Sequence, residues 1–257
     1  MGLMSGPARR IEGDGTPTSA WRDWPGLAAL APLDIDTLVP PGARAVLVAP
    51  HPDDELLACG GLLQLLLARA TPVLLVAVTD GGASHPRSTV WPPERLLDER
   101  PRETARALGQ LGLATPPVRL LRAHLPDGAV AAHAAELQTL LEQTLGPDDV
   151  VFVTWRLDGH PDHEAAGHAS AAAATTCHAR LVEVPVWTWH WASPGDPRVP
   201  WHRARRLVLS QRQLQRKRTA IASYQSQLQA DPSTGQPAIL PPATLDRLLD
   251  RDEIYFL

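Results

Sequence analysis

Cysteine, long apolar runs and an export signal are all scarce or missing in this chain. Only Cys59 and Cys177 occur among the 257 residues, and two cysteines do not make a disulfide framework. No stretch approaches the roughly 18 uninterrupted apolar residues of a membrane-spanning helix, because the leucine-rich run at 56–67 contains Gly and Gln. The start lacks a basic region followed by an apolar core. We therefore expect a cytoplasmic protein without a membrane span, in which Cys59 packs rather than reacts.

An excess of positive charge is also missing. The formal net charge is -4, so the overall electrostatics do not predict nucleic acid or an anionic membrane as a partner. A basic cluster at 203–218 is expected to be a solvated helix face, with contact to an anion or a partner as the alternative. Gly60-Gly61 near a helix start superficially suits a phosphate, but the chain lacks G-x-G-x-x-G and the P-loop lysine. This argues against a nucleotide-binding module.

Strand and helix signals alternate along the chain. Short apolar segments predict strands at 45–49, 73–79, 118–121, 150–154 and 181–186. Segments of helical length lie at 56–68, 94–111, 132–145 and 164–176. This alternation predicts an α/β, Rossmann-like fold, in which helices cover both faces of a mostly parallel sheet. Residues 1–20, rich in Gly, Pro, Ser and Thr, predict a flexible leader, and residues 21–257 a single domain.

Two clusters of metal-binding side chains follow predicted strands. His51-Pro52-Asp53-Asp54-Glu55 comes after the first strand, and His160-Pro161-Asp162-His163 comes after the fourth. Because ligands bind beyond the carboxyl ends of parallel strands, we expect the two clusters to form one divided site. Two histidines and a carboxylate suit a hydrolytic zinc site, which keeps a fourth position for water. A single Asp here would more often cap the following helix, but an Asp pair between His and Glu favours the metal site.

The adjacent carboxylates of the first cluster can take separate roles. Asp53 and Asp54 point in different directions because neighbouring residues do not share one. One can therefore hold a metal while the other accepts a proton from water. Glu55 either supports a neighbouring group or is a first-turn helix charge.

The same residues resemble the signature of the PIG-L/LmbE-like family of zinc-dependent de-N-acetylases. Both clusters are present, and later segments are similar to further family blocks: Arg100-x-x-Glu103-x-x-x-Ala107-x-x-x-Leu111-Gly112, Leu125-Pro126-Asp127-Gly128 and Ala220-Ile221-Ala222-Ser223-Tyr224-Gln225-Ser226-Gln227. The resemblance covers about residues 44 to 228. It implies a hydrolase that removes an acetyl or other acyl group from the amide nitrogen of a small molecule, most of all an N-acetylglucosamine-type sugar or conjugate.

The resemblance also implies roles for individual residues. It implies that Zn²⁺ is held by three ligands, His51, Asp54 and His163. Fe²⁺ can compete with Zn²⁺ for such ligands. Asp53 resembles the general base of the family. A protonated His160 would stabilise the negative charge that develops on the carbonyl oxygen, and Asp162 would orient His160 and raise its pKa. Either Asp53 or His160 would protonate the leaving amine.

Substrate contacts are expected from three polar side chains and one aromatic segment. The polar candidates are Arg100, Asp127 and Arg87. Arg100 could instead pair with Glu103 along a helix. The segment 187–191 and Trp201 hold half of the eight tryptophans, which would contact a sugar or acyl chain, or else cover the core or a subunit interface. The loop Thr79-Asp80-Gly81-Gly82-Ala83-Ser84 departs from the Gly-Glu pair of many relatives, and this bears on the substrate rather than on the metal chemistry.

The expected partner is therefore a small N-acetylated substrate, with a sugar as first choice. Family members often assemble, so a homo-oligomer is a further expectation. One alternative is a metal-containing carbohydrate-binding protein without catalysis, against which Asp53 beside the ligands argues. Another is a phosphoesterase that uses the same metal, which release of phosphate rather than acetate would reveal.

Overall fold

One sheet of seven strands organises the described residues. The computed structural model describes residues 9–113, 118–249 and 252–257. Its strands are β1 (Arg44–Ala49), β2 (Val73–Thr79), β3 (Val118–Leu125), β4 (Asp149–Thr154), β5 (Arg180–Val184), β6 (Ala204–Leu207) and β7 (Glu253–Phe256). They lie in the order β3-β2-β1-β4-β5-β7-β6. Strands β1 to β5 pair in parallel, and β7 is antiparallel to both β5 and β6.

Helices connect and flank the strands. They are α1 (Thr18–Asp23), α2 (Pro25–Ala29), α3 (Ile35–Leu38), α4 (Asp54–Ala68), α5 (Pro93–Gln110), α6 (Ala134–Glu142), α7 (Pro161–Cys177), α8 (Thr188–Trp191), α9 (Gln211–Ile221), α10 (Gln225–Leu228) and α11 (Pro242–Leu249). Short 3-10 turns lie at Val130–His133 and Trp201–Arg203. The longest helices, α4, α5 and α7, each follow a strand of the parallel part of the sheet, as βαβ connections require.

The central strands of the sheet are buried on both faces. Along β1, Ala45, Leu47 and Ala49 belong to one apolar core, whereas Val46 and Val48 belong to another. Helices α4, α5 and α9 contribute to the first core, and α6 and α7 to the second. A strand buried on both faces reads as a continuous apolar run, which is the pattern of β1 in the sequence. The predicted α/β fold with a mostly parallel sheet is confirmed.

The structure departs from the predicted elements at the edges of the sheet. Strand β3 continues to Leu125, past the predicted end at residue 121. The prediction ended too early because Arg122 and His124 interrupt the apolar pattern of this strand, which lies at the edge of the sheet. The antiparallel strands β6 and β7 were not predicted. Each spans four residues, which is too short for a period of two to be recognised.

The amino-terminal segment contacts the folded part of the chain. The Arg9 guanidinium lies 3.3 Å from the Glu164 carboxylate, and the Thr16 hydroxyl donates to the Ala192 carbonyl at 2.6 Å. Residues 1–8 of the predicted flexible leader lie outside the described residues, and the boundary after residue 20 stays a prediction. No helix in the described ranges is long and apolar enough to cross a membrane.

Helix α4, which carries part of the first cluster, is broken at Cys59. The backbone there has φ -133° and ψ 18°, which is not helical. The backbone N–H groups of Gly61 and Leu62 donate instead to the buried carboxylate of Glu253, at 2.6 and 2.8 Å. Lys217 Nζ lies 2.7 Å from the same carboxylate and neutralises it. Cys59 itself is buried in the core, as the sequence predicts.

Candidate active site

The two motif clusters meet at one edge of the sheet. Strands β1 and β4 are neighbours, and the strand order reverses between them. Such a reversal leaves a crevice beyond the carboxyl ends of the two strands. His51 follows the end of β1, and the second cluster begins α7 after β4. The topology therefore brings distant parts of the sequence to one place, as predicted.

Asp54 lies between two imidazole rings. Its Oδ2 is 3.1 Å from His163 Nε2 and 3.3 Å from His51 Nδ1. Ligand atoms of a tetrahedral zinc ion, with bonds of about 2.0–2.2 Å, are separated by roughly 3.3–3.6 Å. His163 Nε2 is buried and has no hydrogen-bond partner among the described residues, although it faces Asp54. The separations of Asp54 from the two imidazoles are therefore close to those between neighbouring ligand atoms on one divalent metal ion.

The charges of this group also suit a cation. Burial opposes ionisation of Asp54, but His163 and His51 outweigh it and hold the pKa of Asp54 well below its ordinary value. Burial lowers the pKa of His163, whereas Asp54 and Asp158 raise it to a net value of about 9. In the metal-free molecule the imidazoles therefore carry the positive charge that balances Asp54.

Asp158 holds His163 from the other side. Its Oδ2 lies 2.9 Å from His163 Nδ1, and both residues are fully buried. The backbone N–H groups of residues 186–188 and the Thr188 hydroxyl donate to the same carboxylate at 2.6–3.0 Å. An ionised carboxylate only accepts, so His163 Nδ1 carries a proton and Nε2 faces Asp54. Sequence analysis assigned no role to Asp158, and its place between β4 and the second cluster was the available signal.

His51 also faces two further carboxylates. Its Nε2 lies 3.2 Å from Asp127 Oδ1 and 3.3 Å from Asp162 Oδ2. Two overlapping groups could hold a metal ion, because their ligand atoms lie within 4.8 Å of one another. One group is His51, Asp127 and Asp162, and the other is His51, His160 and His163. Asp127, predicted as a substrate contact, is therefore itself a member of a group that could hold a metal ion.

Asp53 has a strained backbone. Its φ is 126° and its ψ is -31°, a region that residues other than glycine rarely adopt. The side chain is buried, and Arg100 Nη2 lies 3.4 Å from Asp53 Oδ2. Burial, partly opposed by Arg100, raises the pKa of Asp53 well above its ordinary value. Strain of this kind persists only where the surroundings hold it, and it occurs most often at active sites.

Glu55 supports this strained residue. One carboxylate oxygen accepts the Asp53 backbone N–H at 3.0 Å, and the other accepts the hydroxyl of Tyr224. Glu55 and Tyr224 are both buried. Of the two roles open for Glu55, the contacts favour support of a neighbouring group over a helix charge. Tyr224 belongs to the third of the later sequence blocks, and its contact with Glu55 was not predicted.

His160 caps a helix and has a lowered pKa. Its Nδ1 accepts the backbone N–H of Asp162 at 3.2 Å, which caps the start of α7. The ring proton therefore lies on Nε2. Burial, followed by the proximity of His163 and His51, lowers the pKa of His160 to about 4. Without metal or substrate the ring is therefore a neutral N–H donor, and a protonated His160 during the reaction stays a prediction.

The Asp162 carboxylate also has partners other than the predicted one. It accepts the backbone N–H of Gly128 at 2.7 Å and that of Val130 at 3.1 Å, and it faces His51. Only the backbone N–H of Asp162 bonds to His160. The carboxylate therefore fixes the loop after β3 against His51. The negative charge of Asp162 raises the pKa of His160, although burial outweighs it. That Asp162 orients His160 in catalysis stays a prediction.

A cavity of about 290 Å³ opens over the cluster. Its lining includes His51, Asp53, Asp54, Asp127, His160 and Trp187. Arg100 also borders it, but its Nη groups donate to the carbonyls of Pro52 at 2.8 Å and Gly81 at 3.1 Å. The alternative Arg100–Glu103 pair is not formed, because Glu103 accepts from Ser226. Arg100 thus fixes the loops that carry Asp53 and Gly81.

The remaining predicted substrate contacts are divided between different places. Arg87 is exposed and lines a neighbouring cavity of about 660 Å³. Trp187 lines the cavity of about 290 Å³ that His51 and Asp54 also line. Trp189 is buried in the core, and the Trp191 indole N–H donates to the Asp158 carbonyl at 2.7 Å. One tryptophan of the segment 187–191 therefore lies at the site, and the other two have structural contacts.

Comparison with a family model identifies the chain. Residues 46–174 match the model described as PIG-L, GlcNAc-PI de-N-acetylase. This range makes up half of the chain and contains both clusters. The chain belongs to the PIG-L family. No curated protein sequence matches it.

Solved structures share the fold of this PIG-L protein. The conserved protein TT1542 from Thermus thermophilus has a TM-score of 0.57 and 23% identity, over 84% of this chain and 94% of its own. A deacetylase in the biosynthesis pathway of teicoplanin has a TM-score of 0.61 and 20% identity, over 83% and 96%. The N,N'-diacetylchitobiose deacetylase from Pyrococcus horikoshii has a TM-score of 0.54 and 16% identity, over 85% and 82%. At these identities the likeness shows a common fold.

Proposed function

We propose that this PIG-L protein is a metal-dependent de-N-acetylase that acts on an N-acetylated sugar or sugar conjugate. One observation carries the proposal: His51 and His163 both face Asp54 beside the buried and strained Asp53, and His51, Asp53 and Asp54 line a cavity. A structural zinc site is closed by four protein ligands, whereas a catalytic site keeps a position open. A cluster that opens into a cavity supports the catalytic alternative.

Three residues would hold the ion, and Asp158 would orient one of them. The ligands are His51, Asp54 and His163. Two imidazole nitrogens and one carboxylate oxygen suit Zn²⁺, and Fe²⁺ accepts the same ligands. When bound, a divalent ion lowers the pKa of water and polarises the acyl carbonyl.

Asp53 acts as the general base. Its carboxylate lines the cavity next to the ligand Asp54, and it accepts the proton of the attacking water. Arg100 and Glu55 hold it in place, the first through the side chain and the second through the backbone N–H. A base fixed in one geometry avoids reorganisation during the reaction.

His160 acts as a hydrogen-bond donor to the carbonyl oxygen. Its Nε2–H stabilises the negative charge that develops as the carbon becomes tetrahedral, and one such donor is typically worth about 3 kcal/mol. A neutral imidazole is a poor acid, so the proton for the leaving amine comes from Asp53, which has just accepted one. This assigns both proton transfers to one carboxylate.

The cavity and the comparisons support a sugar acetamide as substrate. Two of the structures that share the fold are named as deacetylases, one of them of N,N'-diacetylchitobiose. Asp127 offers carboxylate oxygens to hydroxyl groups, and Trp187 offers a flat apolar surface of the kind that packs against a sugar ring. The family description also names an N-acetylated sugar, the GlcNAc unit of GlcNAc-PI.

Acetate release joined to metal analysis tests the proposal. Wild-type protein with zinc is expected to release acetate from N-acetylglucosamine or N,N'-diacetylchitobiose. Asp53→Ala should keep the metal and lose about 10²–10⁴-fold in turnover, the usual contribution of a general base, whereas His51→Ala should lose both metal and turnover. Full turnover in Asp53→Ala would remove the base assignment. Bound metal and sugar without acetate release would favour a non-catalytic binder, and phosphate release from phosphate esters would favour a phosphoesterase.

A further inference from the structure

We infer that Lys217 and Glu253 are positioning residues of the proposed active site, because they open helix α4 behind its first turn and hold that turn in place. The first turn carries Asp54, a proposed metal ligand, and Glu55, which supports Asp53. This inference rests on the proposed function and assigns a part in it to two residues outside the range that matches the family model. Lys217 and Glu253 are called the inserted pair below.

The inserted pair occupies both groups of one helical hydrogen bond. In a regular α-helix the carbonyl of residue i accepts the backbone N–H of residue i+4, so Leu57 would accept from Gly61. Here the Leu57 carbonyl accepts from Lys217 Nζ at 2.9 Å. The Gly61 N–H donates to Glu253 Oε1 at 2.6 Å. Side chains that insert into this ladder kink a helix, and the non-helical backbone of Cys59 lies between Leu57 and Gly61.

The charges of the inserted pair suit the two helix ends that the break creates. The carbonyl end of a helical segment carries a partial negative charge, and the N–H end carries a partial positive charge. Lys217 lies at the carbonyl end of the first turn. Glu253 accepts the N–H groups of Gly61 and Leu62, which begin the rest of the helix. Lys217 Nζ lies 2.7 Å from Glu253 Oε1, so each of the two buried charges has an opposite charge beside it.

Gly60 and Gly61 make room for this arrangement. A Cβ atom on Gly60 would lie 2.9 Å from Lys217 Cγ, which is closer than the separation of about 3.5–4.0 Å that carbon atoms prefer. A Cβ atom on Gly61 would overlap the side chain of Leu209. The two glycines, which belong to no phosphate-binding motif, are therefore needed where Lys217 and Leu209 approach the backbone of α4.

The first turn of α4 is joined directly to Asp53. The Leu57 N–H donates to the Asp53 carbonyl at 2.9 Å, and Leu57 also lines the cavity of about 290 Å³. The rest of α4 packs into the apolar core through Leu62, Leu63 and Leu66. Core packing therefore sets the direction of the longer part of the helix, and the break allows the first turn to take a different one.

Replacing the inserted pair with apolar side chains separates positioning from stabilisation. Lys217→Met and Glu253→Met are combined with Tyr255→Phe, because the Tyr255 hydroxyl also donates to Glu253. Apolar groups can often replace a buried ion pair without loss of stability, and Leu57 and Gly61 can then bond to each other. We expect this apolar variant to fold and to bind zinc about tenfold more weakly. Its kcat should fall about 10–100-fold, because a misplacement of ~1 Å can cost about 10²-fold.

Three measurements on the apolar variant decide between the two roles. Circular dichroism and urea unfolding establish that it is folded, competition with a chelator gives its zinc affinity, and acetate release at saturating zinc gives kcat and KM. KM should stay within about threefold, because the proposed substrate contacts Asp127 and Trp187 lie outside α4. A folded variant with zinc affinity and kcat within about twofold of wild type would overturn the inference. Failure of wild type to release acetate would contradict the proposed function instead, and the zinc affinities would still test the positioning of Asp54.

Glu253→Gln and a matched control keep the inference testable if the apolar variant does not fold. The control is Asp149→Asn, because Asp149 is also a buried carboxylate that binds a cation, Arg44, and a backbone N–H, that of Gly146. It lies at the opposite edge of the sheet, at the start of β4. Both variants should unfold at lower urea concentrations than wild type, but only Glu253→Gln should lose zinc affinity and kcat. Equal losses in the two variants, or no loss in Glu253→Gln, would refute the positioning role.

Discussion

Replacing Asp158 with Asn changes the group that binds His163, a proposed metal ligand, and keeps the size of the side chain. Asp158 accepts from His163 Nδ1 and Trp187 N–H at Oδ2, and from Val186 and Thr188 at Oδ1. In either orientation the NH₂ group of Asn would face donors in a fully buried place. The strain is relieved if His163 moves its proton from Nδ1 to Nε2. That tautomer cannot bind a metal through Nε2, so metal affinity and stability should both fall.

The size of the effect follows from the contacts. Loss of a carboxylate that orients a metal-ligating histidine typically weakens metal binding ~10–100-fold. Each buried N–H left without an acceptor costs about 1–3 kcal/mol of folding stability. A domain of this size loses roughly 2–4 °C of melting temperature per kcal/mol. We therefore expect zinc to bind Asp158→Asn ~10–100-fold more weakly, and the metal-free variant to melt roughly 5 °C lower than wild type.

Competition with a chromophoric zinc chelator measures the first quantity, and thermal unfolding in EDTA measures the second. Asp196→Asn is the matched control, because Asp196 is also a buried carboxylate but binds Arg198 rather than a metal ligand. It should leave zinc affinity unchanged. If zinc bound Asp158→Asn within twofold of its wild-type affinity, the assignment of His163 Nε2 as a ligand held by Asp158 would be refuted.

Two further predictions concern the support of the site and the acid stability of the fold. Tyr224→Phe removes the hydroxyl that donates to the Glu55 carboxylate, so kcat for acetate release should fall about tenfold, the equivalent of ~1.4 kcal/mol. KM and zinc content should stay unchanged, and a change in KM alone would contradict this. Burial raises the pKa of Glu183, but Arg156 and Arg203 outweigh it and hold that pKa below the ordinary 4.5. The ionised carboxylate therefore stabilises the fold above pH 4.5, and this contribution is lost as the pH falls through the lower folded value. In urea unfolding, the stability advantage of wild type over Glu183→Gln should be constant from pH 6 to 8 and shrink below pH 4.5; an advantage unchanged at low pH would disprove the assignment.

The convergence of the candidate metal ligands could be predicted from the sequence because it depends on local patterns. His51 and His163 each follow a short apolar run, and the rule that parallel strands present ligands at their carboxyl ends places both at one edge. The same rule accounts for Asp127, which follows β3. The order of the strands, with β1 beside β4, then completes the site.

The groups that hold these residues could not be predicted in the same way. The contact between Glu55 and Tyr224 joins positions 169 residues apart, and nothing in the local pattern of either residue signals the other. Asp158 and Asp162 are both near the second cluster, but the partners of their carboxylates depend on how the segments 128–130 and 186–188 pack. Side-chain direction in a turn is set by tertiary packing, so the residue types alone did not predict that the Asp162 carboxylate binds the loop after β3.

Anomalous diffraction at the zinc edge tests the central claim most directly. Crystals grown with one equivalent of zinc should show a single strong peak bounded by His51 Nδ1, Asp54 Oδ2 and His163 Nε2, at about 2.0–2.2 Å from each atom. A peak bounded instead by His51, Asp127 and Asp162, or the absence of any peak beside His163, would contradict the account.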